Sequence, residues 1–168
     1  MRNQIPWCTA VVIVIADRVT KMLVLEHIPV GGWRSVFPGV ALTHVHNRGI
    51  AFSLFSEGGW LSRVILHGVI LTAVVLIARK LFRHGQRQTM AGLAFGLIHG
   101  GALGNLMDRV MFGWVIDFIH LWVRVGDRSW AGPDFNVAES AITVGACLLI
   151  LNEFLIQKHG THDASDSR

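Results

Sequence analysis

Four apolar stretches, each close to twenty residues long, constrain the fold of this chain more than any other feature. A run of about 20 apolar residues is what a helix needs to cross the hydrocarbon core of a bilayer. Because no water reaches the backbone there, such a segment has to be helical. The sequence predicts spans at roughly residues 5–25, 60–78, 90–107 and 137–156.

The composition also favours a membrane protein. Hydrophobic residues make up 52% of the 168 residues and charged residues only 15%, whereas a soluble domain carries about 25% charged residues. The length fits a single domain. The net charge of +4 comes from scattered basic residues, without the aromatic-interleaved basic face that binds nucleic acid. We therefore expect membrane lipids as partners and no nucleic acid.

The segments between the predicted spans differ in character. Residues 79–89 are short and basic, which predicts a cytoplasmic connection by the positive-inside rule. An even number of spans then places both termini, including residues 157–168, in the cytoplasm. Residues 26–59 and 108–136 would be periplasmic, and their alternating β-branched and polar residues, broken by glycine and proline, predict short strands.

Two features of the predicted spans suggest close packing inside the protein. Asp17 and Lys21 lie four residues apart on one helical face and can pair, either as a structural ion pair or as part of a functional site. Glycine recurs at every fourth position of the third span and so predicts a face for close helix approach. The glycines of this stripe are Gly92, Gly96, Gly100 and Gly104.

Metal and covalent chemistry find little support in the sequence. His44 and His46 flank one residue of a predicted strand, but no third ligand and no HExxH spacing accompanies them. Ser53 and Ser140 lack the GxSxG elbow of serine hydrolases. We expect neither a metal nor another cofactor.

The remaining candidates are carboxylates at the ends of the third and fourth spans. Asp108 and Asp117 follow the third span, and Asp134 and Glu139 surround the start of the fourth. Two carboxyl groups close together lose their protons in separate steps, so one can activate water while the other polarises a carbonyl. Helix capping and solvated loop charges are the plainer alternative.

Several separated motifs, in the same order, resemble those of the signal peptidase II family. These are ADRVTK, HNRGIAFS, GGALGNLMDR, VIDF and FNVAESAITVGA. The resemblance implies an intramembrane aspartic protease of the bacterial inner membrane. It implies an all-α membrane protein with four transmembrane helices and a small periplasmic β-rich cradle, with the active site near the periplasmic face. The implied substrate is a diacylglyceryl-modified prolipoprotein, cleaved just before the lipidated cysteine, and no obligate protein partner is implied.

Carried over residue by residue, the resemblance implies roles for nine positions. Asp117 and Glu139 would be the catalytic pair. Asp17 and Lys21 would support the site, although Arg18 stands where glutamine is usual. The substrate-binding residues would be Asn47, Gly104, Asn105, Arg109 and Asn136.

Glu139 departs from the family pattern, which has a second aspartate at this position. The extra methylene moves the carboxyl by about 1.5 Å, and a misplacement of about 1 Å can slow a reaction about a hundredfold. An active Asp117–Glu139 peptidase is the favoured hypothesis, with Asp134 a weaker candidate for the second carboxyl. The alternatives are an impaired paralogue that binds lipidated signal peptides or an inhibitor, and a structural or transport-associated membrane protein.

Overall fold

Three helices and a four-stranded antiparallel sheet form the part of the chain that the computed structural model describes, residues 4–48, 76 and 89–165. In chain order the elements are α1 (Ile5–His27), β1 (Trp33–Phe37), β2 (Val40–Asn47), α2 (Thr89–Phe112), β3 (Val115–Val125), β4 (Arg128–Ala131) and α3 (Val137–Ser165). The sheet order is β1-β2-β3-β4. The strands predicted in residues 26–59 and 108–136 are therefore present.

The expected fold class, an all-α protein with four transmembrane helices, is wrong. The sheet is a major part of the described architecture, and only two described helices are long and apolar enough to cross a membrane, at Met90–Phe112 and Val137–Leu155. α1 covers the first predicted span, but its second half contains Asp17 and Lys21, which are buried inside the protein. The length of an apolar stretch does not reveal that charges within it are buried inside the protein. The predicted span at residues 60–78 lies outside the described residues, apart from residue 76.

The register of β2 and β3 brings polar side chains to one face of the sheet. Val45 lies opposite Asp117 and Asn47 opposite Val115. Because side chains alternate along a strand, Asn47, two residues beyond Val45, shares a face with Asp117. The sheet therefore presents an amide and a carboxyl side by side.

The glycine stripe of α2 packs against α1 of the same chain. A Cβ atom at Gly96 would lie 2.6 Å from the carbonyl oxygen of Pro6, and one at Gly100 would lie 2.7 Å from that of Ala10. On the other side of α2, Gly101 lies against Ala138 of α3. Small residues thus let the helix backbones approach closely, and the predicted close-packing face is found within one molecule.

A buried apolar cluster fixes the sheet to the carboxyl-terminal end of α1. It joins Val24 and Ile28, at the end of α1, to Ile116 and Phe118 of β3. Because Asp117 lies between these two buried β3 residues, its backbone is immobilised by packing on the opposite strand face. The cluster therefore positions a carboxyl group at the end of the helical bundle.

We predict that Gly100→Ala destabilises the protein. Alanine would improve helix propensity by about 1 kcal/mol, but its methyl group would clash with the backbone of Ala10, and overpacking costs about 1–3 kcal/mol. The Tm in detergent should fall. Gly132→Ala is the matched control, since the nearest atom to its Cβ, the Leu121 carbonyl oxygen, is 4.0 Å away. A Gly100→Ala protein as stable as the wild type would contradict this packing.

Candidate active site

A fully buried lysine ties α1 to α2. The Nζ of Lys21 lies 2.8 Å from Asp17 Oδ2, 2.8 Å from Asp108 Oδ2 and 3.0 Å from Asn105 Oδ1. An ammonium group has three protons to donate, so each proton has one acceptor. A buried charge is tolerated when it is paired and hydrogen-bonded, and this lysine meets both conditions.

The two aspartates that pair with Lys21 each reach another element. Asp17 Oδ1 accepts a hydrogen bond of 3.0 Å from the backbone N–H of Ala138, in the first turn of α3. Free N–H groups at a helix start favour such a carboxylate. Asp108 Oδ2 accepts one of 3.2 Å from the Ile116 N–H of β3, and Arg18 lies 3.5 Å from its other oxygen. This ionic cluster therefore connects all three helices and the sheet.

Gly104 lies against the Asp17 carboxylate. A Cβ atom at this position would be 2.7 Å from Asp17 Oδ2, which is closer than such atoms pack. Any larger residue would push the carboxylate away from Lys21. The structure thus gives Gly104 a packing function, and the substrate contact predicted for it stays a prediction.

Asn136 connects the ionic cluster to both candidate catalytic residues. Its Nδ2 lies 2.7 Å from Asp117 Oδ1 and 3.2 Å from Asn105 Oδ1. Its Oδ1 accepts a hydrogen bond of 2.9 Å from the Glu139 N–H. That last bond is an N-cap, in which an asparagine side chain satisfies a free N–H in the first turn of a helix. Helix capping at this position is therefore present, and the substrate-binding role implied for Asn136 stays a prediction.

The hydrogen bonds fix the orientation of the two asparagine amides. Because Lys21 can only donate, Asn105 must present its oxygen to Lys21. The same oxygen then requires a donor from Asn136, so the Asn136 amide turns its nitrogen towards Asp117 and its oxygen towards α3. Lys21 thus sets the orientation of both amides and, through them, the donor that the candidate catalytic carboxyl receives.

Asp117 is buried and accepts a hydrogen bond on each oxygen. Asn136 donates to Oδ1, and the Nδ2 of Asn47 donates to Oδ2 over 2.9 Å. Burial and, next, the negative charge of Glu139 raise the pKa of Asp117 to about 7, against the opposite effect of the two amide hydrogen bonds. At neutral pH this carboxyl is therefore close to half protonated.

Glu139 occupies the first turn of α3 and is half-buried. Its charge acts on Asp117 and on the buried guanidinium of Arg109. Arg109, at the end of α2, also donates a hydrogen bond of 3.2 Å to the Asn105 carbonyl oxygen. The site therefore contains two interacting carboxyl groups and a neighbouring cation.

All nine site residues predicted from the sequence belong to one connected network. The part of the HNRGIAFS motif after residue 48 lies outside the described residues. Asp108, offered by the sequence only as one of the candidate carboxylates, is buried and is one of the Lys21 partners. The sequence does contain a signal for this contact with Lys21, because Asp108 lies three residues after Asn105 and so shares its helical face.

The two histidines considered as metal ligands contact each other. His44 Nδ1 lies 2.7 Å from the Ile28 carbonyl oxygen, and its Nε2 lies 3.1 Å from His46 Nε2. His46 stacks on Trp114 with ring centroids 4.6 Å apart, and burial lowers its pKa. Among the described residues, no group of three or more histidine, cysteine, aspartate or glutamate side chains is arranged to hold a metal ion.

Comparison with known proteins decides the family. The family model described as signal peptidase (SPase) II matches residues 9–155 of this chain. The chain belongs to the signal peptidase II family. The resemblance inferred from the sequence motifs is therefore confirmed.

Curated relatives named lipoprotein signal peptidase match this chain over most of their length. The chain is 40% identical to the lipoprotein signal peptidase of Paraburkholderia phymatum over 149 residues. It is 41% identical to that of Burkholderia mallei over 150 residues. In both comparisons the match covers 88% of this chain and 87% of the relative.

Two solved bacterial membrane enzymes have similar structures. One, determined at 2.3 Å by the in meso method, superposes with a TM-score of 0.79 at 27% identity and covers 92% of this chain and 90% of that chain. The other, at 1.9 Å, has a TM-score of 0.73 at 28% identity over 88% of this chain and 90% of that chain. The signal peptidase II family is one of aspartic proteases, and this chain is a membrane hydrolase of that type.

We predict that Lys21→Met strongly destabilises this signal peptidase II protein. It would leave Asp17 and Asp108 buried without their cation, and breaking a buried ion pair from one side costs about 3–5 kcal/mol. Thermal and chemical unfolding in detergent would measure the loss.

The matched control is Lys21→Met combined with Asp108→Asn, which removes one of the stranded charges. This double variant should regain part of the lost stability. If Lys21→Met unfolds at the wild-type midpoint, the ionic cluster does not support the fold as described.

Proposed function

We propose that this signal peptidase II protein cleaves diacylglyceryl-modified bacterial prolipoproteins just before the lipidated cysteine, with Asp117 and Glu139 as its catalytic pair. The observation that carries the proposal is the Asn136 amide, which donates to the Asp117 carboxyl and caps the Glu139 backbone. One amide group thereby joins the Asp117 carboxyl to the backbone that carries Glu139. The names of the relatives support the substrate class.

The proposed chemistry uses two interacting carboxyl groups that share one proton, so that one acts as a base while the other acts as an acid. Glu139 takes a proton from water as the water oxygen attacks the peptide carbonyl carbon, and Asp117 donates its proton to the carbonyl oxygen. When the tetrahedral intermediate collapses, Glu139 gives its proton to the leaving nitrogen and Asp117 recovers one from the diol. One peptide bond and one water become one carboxylic acid and one amine.

The longer side chain of Glu139 remains compatible with this reaction. Its backbone is fixed by the N-cap, and its charge still acts on Asp117 and Arg109. The extra methylene therefore leaves the two carboxyls electrostatically coupled. No comparison specifically favours a paralogue that binds without cleaving.

The placement of the sheet supports an active site near the periplasmic face of the inner membrane. The end of α2, the start of α3 and the end of α1 meet at the sheet. The basic stretch at residues 79–89 leads into α2 and so adjoins the amino-terminal end of that helix, away from the sheet. Positive charge at this end favours the cytoplasm. Asn47, Asn105, Arg109 and Asn136 surround the pair as candidate substrate contacts, and Asp17 and Lys21 support them from beneath.

We predict that the cleavage rate falls as pH rises through about 7, because Asp117 then loses the proton it donates. The raised pKa means that the protonated carboxyl is favoured in the folded state, so stability decreases as pH rises from 3.8, the ordinary pKa, towards about 7 and then levels off. A pH profile of kcat/KM on a diacylglyceryl prolipoprotein would measure the effect. Samples returned to lower pH should recover full rate, which separates titration from unfolding. A rate that climbs throughout this range would contradict the assignment of Asp117 as the acid.

We predict that Asp117→Asn and Glu139→Gln each lower kcat about a hundred- to ten-thousandfold, the range typical of general acid–base groups. Both substitutions keep the side-chain size and remove the carboxyl. Glu153→Gln, on the exposed face of α3, is the matched control and should cleave normally.

Glu139→Asp tests the geometry, because it restores the family residue and should remain active. Substantial cleavage by both Asp117→Asn and Glu139→Gln would exclude the proposed pair. Binding of lipidated signal peptide by a wild-type protein that does not cleave, with activity restored in Glu139→Asp, would favour the impaired paralogue instead.

A further inference from the structure

A second polar group, separate from the ionic cluster, joins β2, β3 and the segment that precedes α3. Asp134 Oδ1 accepts hydrogen bonds from Thr43 Oγ1 over 2.7 Å and from His120 Nδ1 over 2.9 Å. A carboxylate acceptor makes each of these bonds stronger than a neutral one. We name Thr43, His120 and Asp134 the polar latch.

Thr43 lies on the same face of the sheet as His120, because Ala41 pairs with His120 and Thr43 is two residues further along β2. A β-bulge in β2 lies at this position. Leu42 pairs with Ile119 and Val45 with Asp117, so β2 contains one more residue than β3 over this stretch. Such an insertion breaks the alternation of side chains and redirects one of them. Thr43 and its neighbour His44 are accordingly both buried.

Phe135, the residue after Asp134 of the polar latch, is bonded to β3 through its backbone. The Phe135 carbonyl oxygen accepts from the N–H groups of Phe118 and Ile119, over 3.0 and 2.8 Å. The Phe135 N–H donates to the Ile119 carbonyl oxygen over 3.1 Å. Residues 134 and 135 are therefore attached to β3 by side chain and by backbone.

The segment attached in this way leads directly into the catalytic pair. Asn136 follows Phe135, donates to Asp117 and caps the Glu139 N–H. α3 begins at Val137, so a shift of residue 134 or 135 displaces Asn136 and the first turn of α3. In an active site, a displacement of about 1 Å can slow the reaction about a hundredfold.

We propose that Thr43, His120 and Asp134 are positioning residues, which set the distance between the Asp117 and Glu139 carboxyls by fixing the start of α3 on β3. This inference rests on the proposed function of that pair. Asp134 is then not the second catalytic carboxyl. Its partner His120 is three residues from Asp117 along β3, and side chains three apart point to opposite faces of a strand.

The first test compares Thr43→Val with Thr43→Ser. Valine keeps the shape and removes the hydroxyl, so kcat should fall roughly tenfold with KM little changed, the loss expected of a misplaced catalytic group. Serine keeps the hydroxyl and should retain most of the rate. Ser129→Ala removes an exposed hydroxyl of β4 and serves as the control. A normal kcat in Thr43→Val would overturn the proposal.

The second test distinguishes positioning from catalysis at Asp134. Asp134→Asn keeps an oxygen that can accept from Thr43 and His120, whereas Asp134→Ala does not. Positioning predicts a smaller kcat loss for asparagine than for alanine. If Asp134→Asn is as inactive as Asp117→Asn, Asp134 acts as a catalytic acid and the positioning role is wrong.

A third measurement does not depend on cleavage. Amide hydrogen exchange of residues 135–139 should be about fivefold faster in Thr43→Val than in the wild type, the effect of losing one net hydrogen bond. Failure of the proposed function would show as a wild-type protein that does not cleave, or as active Asp117→Asn and Glu139→Gln variants. Failure of the positioning role would show as unchanged exchange in Thr43→Val, whether or not the protein cleaves.

Discussion

The ammonium group of Lys21 is the constraint on which the rest of the site depends. A cation enclosed by helices must find an acceptor for each proton, and here the acceptors are Asp17, Asp108 and Asn105. Two of these acceptors are anions that in turn accept backbone N–H groups of α3 and β3. Removing the lysine would leave those anions buried without compensation. The helices and the sheet are therefore joined by electrostatics as well as by apolar packing.

The same lysine also explains the arrangement around the proposed catalytic pair. It fixes the Asn105 oxygen, which fixes the Asn136 nitrogen, which donates to Asp117. The Asn136 oxygen is left for the Glu139 N–H, so helix capping and site assembly use one side chain. Burial and the proximity of Glu139 then raise the pKa of Asp117 to about 7. Structural support and acid–base chemistry therefore come from one continuous network.

The candidate site could be predicted from the sequence much more fully than the fold class. The motifs that resemble the signal peptidase II family, such as GNLMDR and FNVAES, pointed to nine residues that the structure brings together, and the roles implied for them stay predictions. The fold class was wrong because apolar length does not reveal that Asp17 and Lys21 face the protein interior or that the segments between helices assemble into one sheet. The role of Asp108 could have been deduced from its helical spacing to Asn105.

Other contacts could not be predicted because they join distant parts of the chain. Thr43 meets Asp134 across 91 positions, and the register that puts Thr43 on the face of His120 becomes visible only when β2 is paired with β3. Asp134 itself had two plausible roles in the sequence, as a capping residue or as a substitute acid. Its contacts with Thr43 and His120, on the face of β3 opposite Asp117, fit neither of these two roles. They support the proposed role of Asp134 in attaching the start of α3 to β3.

The most direct test of this account is the protonation of Asp117, followed by infrared spectroscopy of its carboxyl group during a pH titration. The assignment would come from the band that disappears in Asp117→Asn. Coupling to Glu139 predicts a midpoint near pH 7 in the wild type and a lower midpoint in Glu139→Gln, where one raising influence is gone. A wild-type midpoint in the ordinary aspartate range, unchanged by Glu139→Gln, would contradict the existence of a coupled carboxyl pair.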